Sequence, residues 1–261
     1  MRLQLKKEAT AVDKADPNAV PIARGVDYLK KELASGTVNG DAARALLVAG
    51  TRGYDIGTSL DATLAFLKQP AKWQPDQHLP LASALALAER YGKAEDDDLA
   101  PAVKMLVAEQ AADGSWGTIM ATWSARSTLI SSGMQPDTFT IVQADRWIRG
   151  LAPENVLEAA ATILALELSS DVMAENLRRT CFSILRADER EKPPVVDAAM
   201  VVLALTALQA EPRLARSAFT VDELKATVAK ARQYLVSQQR PDGGWPDVST
   251  SAWALLALLA N

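Results

Sequence analysis

Six segments of this sequence are apolar around most of a helix circumference, and that pattern leaves few folds open. They lie at residues 45–49, 84–88, 128–132, 162–168, 202–208 and 255–260. A helix that is apolar on all sides must be covered by neighbours on several sides. Each segment is preceded by one of amphipathic spacing with an apolar doublet near its C-terminal half. The doublets are Tyr28-Leu29, Phe66-Leu67, Met105-Leu106, Trp147-Ile148, Ile184-Leu185 and Tyr234-Leu235. Strand alternation is almost absent, and alanine and leucine favour helix. The expectation is an all-α chain in which amphipathic and apolar helices alternate as six pairs.

Six pairs within residues 22–261 give a period near 40, the range of helical repeat arrays. An open array needs polar terminal repeats, yet the last apolar segment runs to Asn261. Closure would cover it, so the expected architecture is an (α/α)6 toroid of six outer and six inner helices. Residues 1–21, polar and charge-mixed with Pro17 and Pro21 as breakers, are expected as an N-terminal arm before a domain of residues 22–261. The stretch 211–221, with Pro212, is expected to add a loop or short helix at the rim. The segment Gly53-Tyr54-Asp55-Ile56-Gly57 reads as the tight connection between the first two pairs.

Two pairs share a written turn. Residues 109–117 read EQAADGSWG and residues 238–245 read QQRPDGGW. Each runs from glutamine through D-G-[GS]-W into an apolar helix. Glycine permits positive φ, and Asp113 or Asp242 can accept from backbone N–H groups just ahead. Trp116 and Trp245 supply broad surfaces to bury between helices. Gln110 and Gln238 are expected to hydrogen-bond across the junction, so these residues read as staples rather than catalysts.

These turns resemble the QW-type repeats of squalene–hopene cyclases and the wider α/α-toroid group that includes protein prenyltransferase β subunits. The resemblance covers roughly residues 22–261 and is carried by two matching turns; the other pairs match in helix pattern alone. It implies a stand-alone toroid that handles an isoprenoid or another apolar chain, with proton-initiated class II cyclisation or isomerisation as the associated chemistry and no cofactor.

In the cyclases an acidic D-x-D-D-T-A motif opens an inner helix, and its middle aspartate is the proton donor. Aligning the six apolar segments brings Asp41, Leu79, Trp123, Glu158, Asp197 and Thr250 into one register. Asp197 falls on the donor position, so the resemblance implies Asp197 as the catalytic acid. The flanking aspartates are missing, with Val195 and Val196 in front and Ala198 where threonine is expected; Asp247 survives in a D-V-S-T-S-A version with Thr250 on the donor position. Protonating a carbon–carbon double bond requires a dry, neutral acid and aromatic faces for the cation. Aromatic residues make up 5% of the chain, a thin supply for polycyclisation. Trp123 and Trp253 are the expected cavity aromatics. Asp41, Glu158 and Asp247 are placed at the cavity or rim, although helix capping and first-turn charge are the plainer account of acids at Asp41, Glu158 and Asp197.

Composition narrows the alternatives. A net charge of −4 and no basic stripe with interleaved aromatics speak against a nucleic-acid partner. The single cysteine, Cys181, and single histidine, His78, provide no disulfide framework and no zinc site. The acidic run Glu95-Asp96-Asp97-Asp98 reads as a solvated helix start. Neither a signal-peptide core nor a membrane-spanning run is present; the expectation is a soluble cytoplasmic protein with no membrane association indicated. Two functions remain open: a cyclase-like enzyme acting through Asp197, and a non-catalytic toroid that binds a protein or a lipid-like small molecule. A large dry pocket with Asp197 on its wall would favour the first, and a centre plugged by side chains the second.

Overall fold

The computed structural model describes residues 16–166, 172–188, 190, 192–210 and 220–260. Within them the chain forms twelve α-helices and no strand. The helices are α1 (Ala19–Ala34), α2 (Gly40–Thr51), α3 (Asp61–Leu67), α4 (His78–Arg90), α5 (Asp96–Ala108) and α6 (Ile119–Ser131). They continue as α7 (Phe139–Arg149), α8 (Val156–Leu166), α9 (Val172–Ala187), α10 (Val195–Ala210), α11 (Val221–Ser237) and α12 (Val248–Leu259). Two short 3-10 turns, Pro70–Lys72 and Pro75–Gln77, lead into α4.

The even-numbered helices carry the core. Ala42, Ala45, Leu46, Ala84, Leu85, Ala160, Ala199, Leu205, Ala254 and Leu255 are all fully buried. Alanine dominates because helix axes can approach closely only where side chains are small. In sequence order each even helix packs on the next, from α2 on α4 through to α10 on α12, and α12 packs on α2. The odd helices lie against them: α1 on α12 and α2, α5 on α4 and α6, α7 on α6 and α8, α9 on α8, and α11 on α10 and α12. Their outer faces are wet, which suits their amphipathic spacing.

The repeated turn shows how neighbouring pairs are joined. Gln110 donates its side-chain amide to Gly114 O and to Thr140 O, both at 2.9 Å. In the last pair the same bonds come from Gln239, to Gly243 O at 2.8 Å and Pro21 O at 2.9 Å. The expected staple Gln238 instead caps α11 and donates to Ser237 Oγ. The equivalent residue stands six before the tryptophan in both copies, and counting back from Trp245 gives 239. Trp116 and Trp245 donate their indole N–H to Leu106 O and Leu235 O, each at 2.8 Å. Asp113 and Asp242 accept from the backbone N–H two residues ahead, both at 2.9 Å.

Each turn docks on an outer helix. The first meets α7 through Thr140 and Gln143, and the last meets α1 through Pro21 and Arg24. Arg24 also donates to Arg240 O and Pro241 O, and the Arg240 guanidinium lies 5.7 Å from the Tyr28 ring centre. The last turn of the chain therefore sits on its first helix as the middle turn sits on α7.

One boundary differs from expectation. Helix α1 begins at Ala19 and contains Pro21, which the sequence reading makes a breaker. In the first turn of a helix the N–H that proline lacks has no intrahelical partner, so Pro21 is tolerated there. Residues 1–15 of the expected arm, and residues 211–219 of the expected insertion, lie outside the described residues.

Candidate functional site

Counting from helix caps redraws the expected acidic register. Asn39, Thr118, Asn155 and Asp247 each accept, through the side chain, from the N–H three residues on. Pro194 O takes the corresponding backbone position before α10 by accepting from Ala198 N. Glu158, Asp197 and Thr250 then share a level, three residues past the cap. Asp41 stands two past it and Trp123 five, so the six positions do not form one layer. The alignment drifted because a helix apolar all round carries no face by which to set its phase.

Several of the expected site residues serve the helix starts. Asp247 caps α12 and accepts from both Thr250 N and Thr250 Oγ1, at 2.8 and 2.6 Å. Glu158 accepts from Glu154 N at 2.8 Å, closing the start of α8. These are orphan amide donors being satisfied. Asp41 is different: it faces Arg44 across 3.8 Å in the first turn of α2. Burial pushes the Asp41 carboxyl above its usual range, against the opposing pull of Arg44 and of a hydrogen bond with Ser249. Burial likewise draws the Arg44 guanidinium down, with Asp41 pulling the other way. Removing both groups from water thus outweighs their mutual attraction.

Asp197 is buried near the start of α10, and its Oδ2 pairs with Arg190 Nη1 at 3.0 Å. The same guanidinium binds Asp188 through Nε at 2.6 Å, and the two carboxylates raise its pKa further above the ordinary arginine value. Asp197 therefore belongs to an Asp188–Arg190–Asp197 cluster. It does not border the cavity described next.

That cavity, of about 170 Å³, lies between α2, α4, α6 and α12. Arg44 and Val48 enter it from α2, Ser83, Leu87 and Arg90 from α4, and Leu256 from α12. Helix α6 presents Trp123, Ser124, Ser127, Thr128 and Ser131. Trp123 also meets Trp253 of α12, with ring centres 6.1 Å apart and planes tilted by 42°. Arg44 lies 5.2 Å from the centre of the Trp253 ring, a cation over an aromatic face. Ser83 Oγ links Thr128 Oγ1 at 2.7 Å and Ser124 Oγ at 3.1 Å, so the inner hydroxyls are already partnered. The exposed Arg90 and Ser131 form the mouth.

Of the expected cavity aromatics, Trp123 lines this cavity, and Trp253 packs on Trp123 without lining it. Asp41 approaches it through Arg44, whereas Asp197, Glu158, Asp247 and Thr250 are not in its lining. Sequence reasoning missed Arg44, Arg90 and the hydroxyls. One signal was available: Ser124, Ser127, Thr128 and Ser131 follow i, i+3, i+4, i+7, one polar face on a helix otherwise read as apolar.

Cys181 is buried on α9, where burial pushes its thiol up to about 12 and leaves no reactive thiolate at neutral pH. His78 is the first residue of α4 and pairs with Glu109. Among the described residues no three His, Cys, Asp or Glu side chains gather as a metal site, and no helix is long and apolar enough to cross a membrane. Compared with models of known families and with curated proteins, the chain matches none.

Proposed function

We propose that the chain is an (α/α)6 toroid that binds a small ligand in its central cavity and does not cyclise isoprenoids. The closed arrangement is supported by the sequence of helix contacts, which returns from α12 to α2 and from the last turn to α1. It is the arrangement implied by the resemblance to squalene–hopene cyclases. The chemistry of those enzymes finds less support here.

The observation that carries the binding reading is the cavity lining. Two guanidiniums and five hydroxyls surround about 170 Å³ of space, and the Trp123–Trp253 pair occupies the region beside it. Drug-sized sites occupy about 300–1,000 Å³, whereas a cavity of about 150 Å³ takes a molecule the size of benzene. A polyisoprenoid chain needs more room than this cavity has. Asp197 pairs with Arg190 and does not line this space.

Incubation with farnesyl and geranylgeranyl diphosphate is expected to yield no cyclised product from wild type or Asp197→Asn. Ligand-observed NMR against a library of small fragments is expected to find binders that lose their signal in Ser127→Trp, whose indole fills the cavity. An Asp197-dependent cyclic product would restore the enzymatic reading. Fragment binding unchanged by Ser127→Trp would place the ligand elsewhere.

A further inference from the structure

The cavity has a sign. Its lining contains Arg44 and Arg90 and, among the described residues, no carboxylate. Arg44 is partly engaged by Asp41 at 3.8 Å and by the Trp253 face. Among the described residues, Arg90, at the C-terminal end of α4, has no ion pair or hydrogen bond to its side chain, and neither Ser127 nor Ser131 has a hydrogen-bond partner for its hydroxyl. Ser127 and Ser131 stand one turn apart on α6, so their hydroxyls face the space together.

The depth of each group follows from its distance past the start of its helix. Arg44 stands five residues beyond Asn39, and Ser124 six beyond Thr118. Arg90 and Ser131 both stand thirteen beyond their caps, Gln77 and Thr118. Eight residues of rise, roughly 12 Å, separate the Arg44 level from the Arg90 level. Ser83 bonds both Ser124 and Thr128, six and ten residues past the α6 cap. Of the groups with no side-chain partner among the described residues, Ser127 stands between those two levels, and Ser131 and Arg90 stand at the mouth. Val48, Leu87 and Leu256 form an apolar wall along the same space. Convergent donors above an apolar wall are how a pocket orients a ligand with one charged end.

Resting on the reading of this cavity as the ligand site, we infer that it takes a small molecule with an oxyanion head and a short apolar body, the head held by Arg90, Ser127 and Ser131. A carboxylate and a phosphate monoester share the chemistry: each accepts a guanidinium fork and hydroxyl hydrogen bonds. The inner guanidinium of Arg44 adds positive potential without direct contact being required.

The test titrates the full chain with butyrate, butyl phosphate and the neutral butanamide, reading ligand-observed NMR and the change in intrinsic tryptophan fluorescence that is lost in Trp123→Phe. Charged probes are expected to bind at least about tenfold more tightly than butanamide, to weaken with salt, and to weaken about tenfold or more in Arg90→Gln. Because Arg90 is exposed, that variant is expected to keep the wild-type circular dichroism and melting curve. Tighter binding of butyrate would identify a carboxylate ligand, and tighter binding of butyl phosphate a phosphate ester. Equal affinity for butanamide, or indifference to Arg90→Gln, overturns the inference. So does failure of both charged probes up to about 20 mM while neutral fragments still bind in a Ser127→Trp-sensitive way; that result leaves the cavity reading standing. If no fragment of any charge binds, both fall.

Discussion

The side-chain amide of Gln239 bonds two carbonyls on opposite sides of a helix junction, Gly243 O and Pro21 O. Its neighbour Gln238 reaches only the exposed Ser237 hydroxyl. A hydrogen bond contributes about 1 kcal/mol net, and a buried carbonyl left without its donor costs about 1–3 kcal/mol. Gln239→Ala is therefore expected to lower unfolding stability by about 1–3 kcal/mol in urea titration, and Gln238→Ala by less than about 0.5 kcal/mol. Equal effects would show that the amide bonds are not what joins this junction. The two glutamines are adjacent and chemically identical, so composition could not choose between them; spacing from the tryptophan does. Asp197 offers the same lesson in reverse. Its sequence position matched a proton donor, but Arg190, seven residues upstream, occupies its carboxylate.

Among the elements, the repeated turn sets the tightest local constraint. Gly243 has φ +92°, and a Cβ there would stand 2.4 Å from Arg24 O; Gly114, at φ +94°, would stand 2.5 Å from Gln143 O. Both conformation and space exclude a side chain. Gly243→Ala is expected to destabilise by about 2 kcal/mol or more, with the loss visible as a lower melting temperature. An unchanged melting temperature would mean that the turn can relax away from α1. The helices themselves were legible because their signals are local. Apolar periodicity, acids at helix starts such as Asp247, and the two D-G-[GS]-W turns each lie within a few residues of what they specify. Phase was not legible for the inner helices. Where alanine and leucine lie on every side, no stripe says which residue faces which neighbour. Trp123 thus entered an acidic register that its cap excludes, and the hydroxyl face of α6 passed unnoticed.

The whole molecule depends on contacts between its beginning and its end. Helix α12 packs against both α1 and α2, Asn39 of the α2 cap donates to Ser249 Oγ at 3.0 Å, and the last turn rests on Pro21 and Arg24. A circular permutant opened in the connection at Gly53–Gly57, with the original ends joined by a flexible linker, keeps every one of these contacts. It is expected to fold with a melting temperature within a few degrees of wild type. Removing residues 248–261 instead strips the cover from α2 and α10 and is expected to leave no cooperative transition. A truncated chain that still melts cooperatively would show that the contact between α12 and α2 is dispensable.

The amino-acid sequence by itself determined that this chain is helical, that its helices alternate between half-wet and fully buried, and where two of its sharpest turns fall. Those properties follow from i→i+4 hydrogen bonding and from periodicities contained within a dozen residues. Only the tertiary structure decided that Asp197 belongs to Arg190, that Trp123 meets Trp253, and that Arg44, Arg90 and the α6 hydroxyls border one cavity. That site is assembled from four helices spread over more than two hundred residues, and its composition depends on how each helix is rotated about its own axis. Rotation is set by the packing of one helix on another, and of these four helices only α6, through its hydroxyl face, carries a local sign of it.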